Sequence, residues 1–225
     1  MIKQFCFILM FILMTRVSPG QGCNAEEYLP ASVSSERLAG TYYPYMYKSN
    51  DSRFFTDWTR GTVLMINGLE VKDALLRYDC VFDELTWMRE SDFKTAILDK
   101  SKITGFTIEN GLVRFKKHAL PSSIYTSKEP FLEVLVEGDL SLYLKHRREI
   151  NHTTDEIITH VDYYFLKEGQ YTRFKPSRFT IMRIFKDEKD KIRSLSREYK
   201  LKFKTKDQII RFVKLYNQNQ PISAE

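Results

Sequence analysis

The chain is poor in the residues by which catalytic and metal sites are usually recognised. It has 3 cysteines and 4 histidines, and His-x-His, His-Glu-x-x-His and Cys-x-x-Cys spacings are absent, which leaves no metal-ligand pattern. Gly-x-Ser-x-Gly and a phosphate-holding glycine-rich loop are absent as well. The acids Asp83 and Glu84 stand at a predicted turn, where solvated carboxylates are expected. The sequence therefore predicts no catalytic residue, no metal ligand and no cofactor.

Long apolar runs are also absent, apart from one at the N-terminus that extends from Phe5 to Met14. Lys3 precedes this run and small residues follow it, which is the pattern of an export signal. A membrane-spanning helix needs roughly 20 apolar residues, so this run is too short. We expect residues 1–20 to be a signal peptide. The mature chain, without a transmembrane segment, is then expected in the periplasm or cell envelope, or secreted.

The cleavage site decides what becomes of Cys23. Cleavage after Gly20 releases a chain that begins at Gln21, whereas cleavage after Gly22 places Cys23 at the new N-terminus. A terminal Cys23 could carry a lipid anchor, although the apolar residue that usually stands three positions earlier in bacterial lipoprotein signals is missing. The other interpretations are a disulfide with Cys80 and a free thiol, since Cys80 also fits the apolar face of a strand.

The composition is typical of one globular domain. With 43% apolar and 28% charged residues, the chain has enough apolar surface to form a core, and disorder is not expected. Loss of Lys3 and Arg16 with the signal lowers the formal net charge from +6 to +4. This excess is too small to predict a polyanionic partner for the molecule as a whole.

Consecutive strands are predicted for residues 61–175, after an irregular aromatic leader at 21–60. Turn signals lie between the apolar runs at Asn67-Gly68, Asn110-Gly111, Gly138-Asp139 and Gly169. The first of them predicts a two-residue hairpin turn. Strands joined by short turns pair antiparallel, because parallel strands need longer crossovers.

The return strand of the first hairpin alternates between apolar and polar residues. Its apolar positions are expected to face the core: Leu76, Tyr78, Cys80 and Phe82. Arg77 and Asp79, which lie between them, are expected to face solvent.

The last part of the chain changes to a helical period. Ser177, Asp187 and Thr205 predict three helix starts, the last with Gln208 as a capping box. Residues 177–217 are therefore expected to form short amphipathic helices that pack on the same domain, since helices of this length need an apolar surface to lie on. The fold class is predicted to be α+β, with a curved antiparallel sheet built from consecutive hairpins and followed by these helices.

Aromatic and basic residues before the first predicted strand are candidates for a ligand or interface face: Tyr42, Tyr43, Tyr45, Trp58 and Arg60. Tyrosine combines a rigid apolar ring with a polar tip, which suits an interface. The tyrosines could equally seal one end of the sheet, and tryptophan rings often fill sheet faces.

One stretch of the chain is locally basic. The candidates for contact with an anionic surface are Arg193, Arg197, Lys200, Lys202 and Lys204. Nucleic acid is not expected as a partner, because an exported protein rarely meets it. Peripheral contact with anionic lipid headgroups fits an exported protein, and a plain solvated helix face is the other interpretation.

Short segments that carry a resemblance to known sequences are spread over most of the mature chain: Asp57 to Val63 with Asn67-Gly68, Leu76 to Asp79, Asp83 to Leu85 and the ending Leu215-Tyr216-Asn217. Through these segments the chain resembles a group of uncharacterised exported proteins of Bacteroidota-type bacteria. These segments are turns and strand alternations. The resemblance implies a bacterial envelope location and a β-rich fold, and it carries no catalytic residues to transfer.

Three hypotheses about function follow from the sequence. The first is a non-enzymatic envelope protein that binds a partner or an amphiphilic ligand on one face of the curved sheet. The second is a structural or assembly factor that docks another protein through its C-terminal helices, and the third is an unrecognised hydrolase. An unfilled concave sheet face would favour ligand binding, whereas a filled sheet with an exposed helix patch would favour docking.

Overall fold

Residues 38, 40–42, 51–121, 129–151, 153–154 and 156–218 are described by a computed structural model. The predicted signal peptide, Cys23 and most of the predicted aromatic leader lie outside these residues. The leader nevertheless contributes one short strand, at Gly40–Tyr42, within a stretch that was expected to be irregular.

All strands among the described residues belong to one antiparallel sheet. They are β1 (Gly40–Tyr42), β2 (Thr59–Met65), β3 (Glu70–Asp79), β4 (Glu84–Met88), β5 (Thr95–Leu98), β6 (Ile103–Ile108), β7 (Val113–Lys117), β8 (Phe131–Val136), β9 (Leu140–Ile150), β10 (Ile157–Lys167) and β11 (Gln170–Phe174). Their order across the sheet is β1-β5-β4-β3-β2-β6-β7-β8-β9-β10-β11. Three helices follow the sheet in the chain, so the predicted α+β class is confirmed.

Glycines occupy several of the turn positions with positive φ. Glu168 and Gly169 have φ values of 52° and 74°, which is the combination of a two-residue type I′ turn between β10 and β11. The turn at Asn67-Gly68 is longer than predicted, because the Met65 N–H donates to the Leu69 carbonyl at 2.9 Å and encloses three residues. Gly68, at φ 82°, takes the left-handed position of this loop.

The short connection from β5 to β6 requires a curved sheet. Four strand spacings separate β5 from β6, which is about 19 Å in a flat sheet. The five steps from Leu98 to Ile103 reach at most about 18 Å when fully extended, and Lys100–Lys102 form a 3₁₀ turn instead. The sheet must therefore bend to bring β5 and β6 within reach of each other.

The bend also brings the end of β9 back to β3. The Arg148 N–H donates to the Cys80 carbonyl at 3.2 Å, although five strand steps separate β9 from β3 in the sheet. The rings of Phe55 and His146 lie 4.8 Å apart at the same junction. The sheet thus curls until its β9 arm contacts the turn after β3.

Aromatic side chains fill the concave face of this curl. The Tyr78 ring lies 5.0 Å from Phe115 and 6.2 Å from Phe131, and Phe106 stacks on Phe115 at 4.8 Å. All four rings are buried. Since Tyr78 and Phe131 come from strands that are four places apart, their contact identifies the concave side as the first core of the molecule.

The outward positions of β3 are not solvated, which corrects the predicted alternation. Leu76, Tyr78 and Cys80 are buried as expected, but Arg77 and Asp79 are only 3% and 1% exposed. The Phe54 ring covers Arg77, with its centre 3.7 Å from the guanidinium carbon, and Arg53 forms an ion pair with Asp79 at 2.6 Å. Residues 51–58 therefore cover the outer face of β3.

The predicted pattern of β3 also fails at its end. β3 ends at Asp79, so Phe82 falls in the following turn and is exposed rather than inward. Cys80 is buried, as a small core residue would be, and among the described residues its thiol has no disulfide partner. Cys23, the candidate partner for a disulfide, lies outside the described residues.

The helices begin close to the predicted positions. α1 (Arg178–Ile184) is capped by Ser177, whose hydroxyl accepts from the Thr180 N–H at 3.1 Å. α3 (Lys206–Gln218) follows Thr205, whose hydroxyl accepts from the Gln208 N–H at 3.3 Å. Asp187 is not a cap, because it lies in a 3₁₀ turn and α2 (Lys189–Glu198) begins after that turn.

The apolar faces of the helices form a second core against β9, β10 and β11. Buried helix residues pack with Leu140, Leu142, Phe165 and Phe174 of the sheet. The buried helix residues are Ile181, Ile192, Leu195, Ile209, Phe212, Val213 and Tyr216. Within the described part of the chain, every helix is too short or too polar to cross a membrane.

Candidate functional site

The described residues do not assemble the predicted aromatic interface into one site. Tyr43 and Tyr45 lie outside the described residues, and Tyr42 is described through its backbone, which pairs with β5. Trp58 directly precedes β2 and Arg60 lies in it. Three strands, β3, β4 and β5, separate β2 from β1. The described members of the predicted set are thus distributed over the sheet.

Trp58 and Arg60 both have partners within the chain. The Arg60 guanidinium forms a two-point ion pair with Glu90, at 2.7 and 2.8 Å, and donates to the Asp73 carbonyl at 2.7 Å. The half-buried Trp58 ring has its centre 5.7 Å from the Arg77 guanidinium carbon, within the range of a cation–π contact. These local contacts account for both side chains.

A buried ion cluster joins β9 to the turn between β3 and β4. Lys145 is 0% exposed, and its ammonium contacts the Asp83 carboxylate and donates to the Tyr78 hydroxyl at 2.8 Å. The Tyr78 hydroxyl in turn donates to Asp83 at 2.6 Å. Lys100 approaches the other Asp83 oxygen at 2.5 Å. Two ammonium groups and one phenol therefore hold a single buried carboxylate.

The chemistry of this cluster is structural. Burial lowers the pKa of Lys145, and the negative charge of Asp83 opposes that change. Burial also raises the pKa of the nearby Cys80 thiol to about 12, so the thiol stays protonated and is a poor nucleophile at neutral pH. Because the buried charges contact one another, the cluster fastens the curled sheet at the junction of β9 and β3.

The sequence pattern does not indicate this cluster. It predicts that Asp83 is a solvated acid in a turn, but Asp83 is buried. The signal that could have indicated the cluster is Lys145, which directly follows the apolar run Leu140 to Leu144 on one strand. A lysine in that position needs a carboxylate partner in the core.

Two histidines have specific partners of their own. His146 Nε2 lies 2.6 Å from Glu133, which also pairs with Lys206 at 2.8 Å and so ties the start of α3 to β8. His118 Nδ1 lies 2.6 Å from the Tyr171 hydroxyl, and burial lowers the pKa of His118 to about 4. Among the described residues, no group of His, Cys, Asp or Glu side chains is arranged to hold a metal ion.

A cleft of about 440 Å³ lies between the β10–β11 hairpin and the end of α1. Its lining includes Phe165, Ile184 and an ion pair of Lys167 with Glu188 at 2.5 Å. The Tyr216 hydroxyl donates to Glu188 at 2.9 Å. Burial acts to raise the pKa of Glu188, but the hydrogen bonds from Lys167 and Tyr216 outweigh it and lower that pKa. Glu188, which follows α1, thus joins Lys167 of β10 and Tyr216 of α3, so these contacts hold the helices to the sheet.

The predicted basic residues form the candidate site that the structure leaves accessible. All five are exposed, on α2 and on the segment between α2 and α3: Arg193, Arg197, Lys200, Lys202 and Lys204. We call these five residues the basic tail surface. On α2 the side chains of Ile192 and Leu195 point into the second core, so the helix presents cations on its opposite face.

The basic tail surface is part of a larger region whose net charge is opposite in sign to that of the rest of the chain. Residues 175–218 contain 14 Lys and Arg against 5 Asp and Glu, a net charge of +9, whereas the whole chain has +6. The remaining residues together therefore carry −3. Within the surface, Arg193 lies 3.3 Å from Asp190, a pair on an exposed helix face that contributes little.

Comparisons with known proteins found no matching family model, no matching curated protein and no matching solved structure.

Proposed function

We propose that the protein is an exported, non-enzymatic docking protein of the bacterial cell envelope, and that its basic tail surface binds an anionic partner surface. The supporting observation is the charge of +9 on residues 175–218, in a chain whose other residues carry a net negative charge. A concentrated positive field attracts and orients an anionic partner.

Docking has more support than ligand binding on the sheet, which was the first hypothesis. The rings of Tyr78, Phe106, Phe115 and Phe131 fill the centre of the concave face. The apolar faces of the helices are likewise used in the second core. What the C-terminal region offers to a partner is therefore its exposed cations, and this favours docking through the C-terminal region over ligand binding on the sheet.

An enzymatic role has less support. Among the described residues, the best candidate for a catalytic group is the cluster of Lys145, Asp83 and Tyr78, and these side chains are buried in contact with one another. A catalytic acid or base has to reach its substrate, and the cleft beside α1 is lined by other residues.

Docking can be tested with two matched triple variants. Lys200→Gln, Lys202→Gln and Lys204→Gln remove three charges from the basic tail surface. Lys72→Gln, Lys94→Gln and Lys102→Gln remove three lysines that are also exposed, one in β3 and two in the connections before and after β5. Binding is measured to phosphatidylglycerol vesicles and to polyglutamate, at low and at physiological salt.

We expect the tail variant to lose affinity by about 100-fold, because each lysine near an anionic surface contributes about 1 kcal/mol. The sheet variant should stay within about twofold of the unchanged protein, and binding should weaken as salt screens the charges. Equal losses in both variants, or no binding to either polyanion, would contradict the proposal.

A further inference from the structure

An exposed aromatic ring lies on α1, in the same basic C-terminal region of the chain, residues 175–218, as the basic tail surface. Phe179, in the first turn of α1, is 76% exposed, although Ile181 of the same helix is fully buried in the second core. Single exposed apolar residues are common on protein surfaces. The exposure of Phe179 therefore indicates a binding site only in combination with the residues around it.

The charged residues next to Phe179 in the sequence, within residues 175–186, are all basic. Residues 175–186 contain four basic and no acidic side chains. All four are exposed: Lys175, Arg178, Arg183 and Lys186. The Arg183 guanidinium carbon lies 5.9 Å from the centre of the Phe179 ring. An exposed ring and exposed basic residues thus lie on α1 and directly beside it in the chain, in a stretch that ends before the acids Asp187 and Glu188.

We propose that the anionic surface is a phospholipid bilayer and that Phe179 enters its interface. This inference rests on the proposed function and names the partner of that docking surface. The headgroup region accepts an aromatic ring at the acyl boundary while cations contact the phosphates. The long side chains of Arg178 and Arg183 can reach those phosphates while the ring is inserted.

A bilayer fits better than an acidic protein. The core of a protein interface is built from clustered apolar and aromatic residues and is depleted of charge. On α1 Phe179 has basic residues near it in the sequence, and the other large apolar residues of the helix, Ile181, Met182 and Ile184, are buried or half-buried. A single ring flanked by cations can contact the acyl boundary of a bilayer while the charges meet the headgroups.

The chain provides a matched control for Phe179. Phe93 is 75% exposed in the turn between β4 and β5, where it stands between Asp92 and Lys94 and outside the basic region. Phe179→Ala and Phe93→Ala therefore remove rings of equal exposure from cationic and mixed surroundings. Far-UV circular dichroism and melting temperature verify that both variants fold.

Vesicles of phosphatidylcholine with phosphatidylglycerol, and polyglutamate, are the probes. We expect Phe179→Ala to lose about tenfold in vesicle affinity, as partial burial of one phenyl ring predicts, and to keep its polyglutamate affinity. Phe93→Ala should keep both affinities. In a second measurement, Phe179→Trp should be quenched by brominated lipid, and Phe93→Trp should not exceed the quenching of the native tryptophans.

The outcomes separate the two proposals. Unchanged vesicle binding and no added quenching at position 179, together with a loss in the Lys200, Lys202 and Lys204 variant, would overturn insertion and leave docking intact. Binding to polyglutamate without binding to vesicles would overturn the lipid partner in favour of an acidic protein surface. Failure to bind either probe would overturn both proposals.

Discussion

At the scale of single residues, the contact between β9 and the turn after β3 depends on buried charges that pair with each other. Lys145 and Asp83 come from strands and turns distant in sequence, and Tyr78 bridges them. A buried ion pair adds little compared with apolar packing, but removal of one partner leaves the other charge uncompensated. The two partners of this pair should therefore differ in their sensitivity to mutation.

Asp83→Asn keeps the shape of the side chain and the left-handed backbone that Asp83 adopts at φ 60°. It leaves Lys145 without its counter-charge, so we expect the free energy of unfolding in urea to fall by about 3 kcal/mol. Lys145→Met should cost less, because Lys100 still pairs with Asp83. The double variant should cost less than the sum of the single ones.

The control for this series is Asp139→Asn, which removes a carboxylate from the exposed turn between β8 and β9. It should change the free energy of unfolding by less than about 0.5 kcal/mol. Strict additivity in the double variant would show that Lys145 and Asp83 do not act as a pair.

At the scale of elements, the Asn217 side chain fastens the end of the last helix to the sheet. The Asn217 amide accepts from the Leu140 N–H at 2.9 Å and donates to the Leu140 carbonyl at 3.0 Å, as a neighbouring strand would. Gly138 makes room for this contact, because a Cβ there would lie 2.5 Å from Asn217 Nδ2. The sequence pattern predicted the helix, but it could not indicate that Asn217 meets the start of β9.

Asn217→Asp replaces the donor of this pair with a second acceptor. The carboxylate would face the Leu140 carbonyl, so we expect a loss of about 1–3 kcal/mol in the free energy of unfolding and faster amide hydrogen exchange along α3. Gln218→Glu adds the same charge on the adjacent exposed residue and should leave both measurements nearly unchanged. Equal effects of the two variants would assign the loss to charge alone.

At the scale of the whole molecule, the proposals require an exported chain with a separated charge. The N-terminal apolar run predicts that export, and the basic C-terminal region predicts how the mature chain docks. The export signal and the basic charge of the C-terminal region each depend on many residues of the sequence and not on a single contact in the fold. They can therefore be tested on the full chain in a bacterial host.

Expression of the full chain followed by cell fractionation and intact-mass spectrometry tests the export signal. We expect the mature protein in the envelope fraction, with its N-terminus at Gln21 or at Cys23, because small residues precede both positions. An added diacylglycerol mass would identify Cys23 as a lipid anchor. A full-length chain that stays in the cytosol would contradict the assigned location.

Local chemistry was sufficient to predict the strands, the positions of the glycine turns, the helix caps at Ser177 and Thr205, and the exposed basic residues. Each of these depends on neighbours within a few positions of the chain, where side-chain alternation and backbone preference act. The predictions failed where distant segments meet. Arg77 and Asp79 have the pattern of solvated residues, yet residues 51–58 cover them.

Long-range packing accounts for the remaining features of the fold. The return of β9 to Cys80 and the pairing of Lys145 with Asp83, which hold the curl of the sheet, join residues more than 60 positions apart. Local preference carries no information on such pairs, because their energies depend on which groups become buried together. The tertiary structure therefore decided the buried cluster and the filled concave face. Because both are in the interior, the exposed basic C-terminal surface is the part that remains accessible to a partner among the described residues.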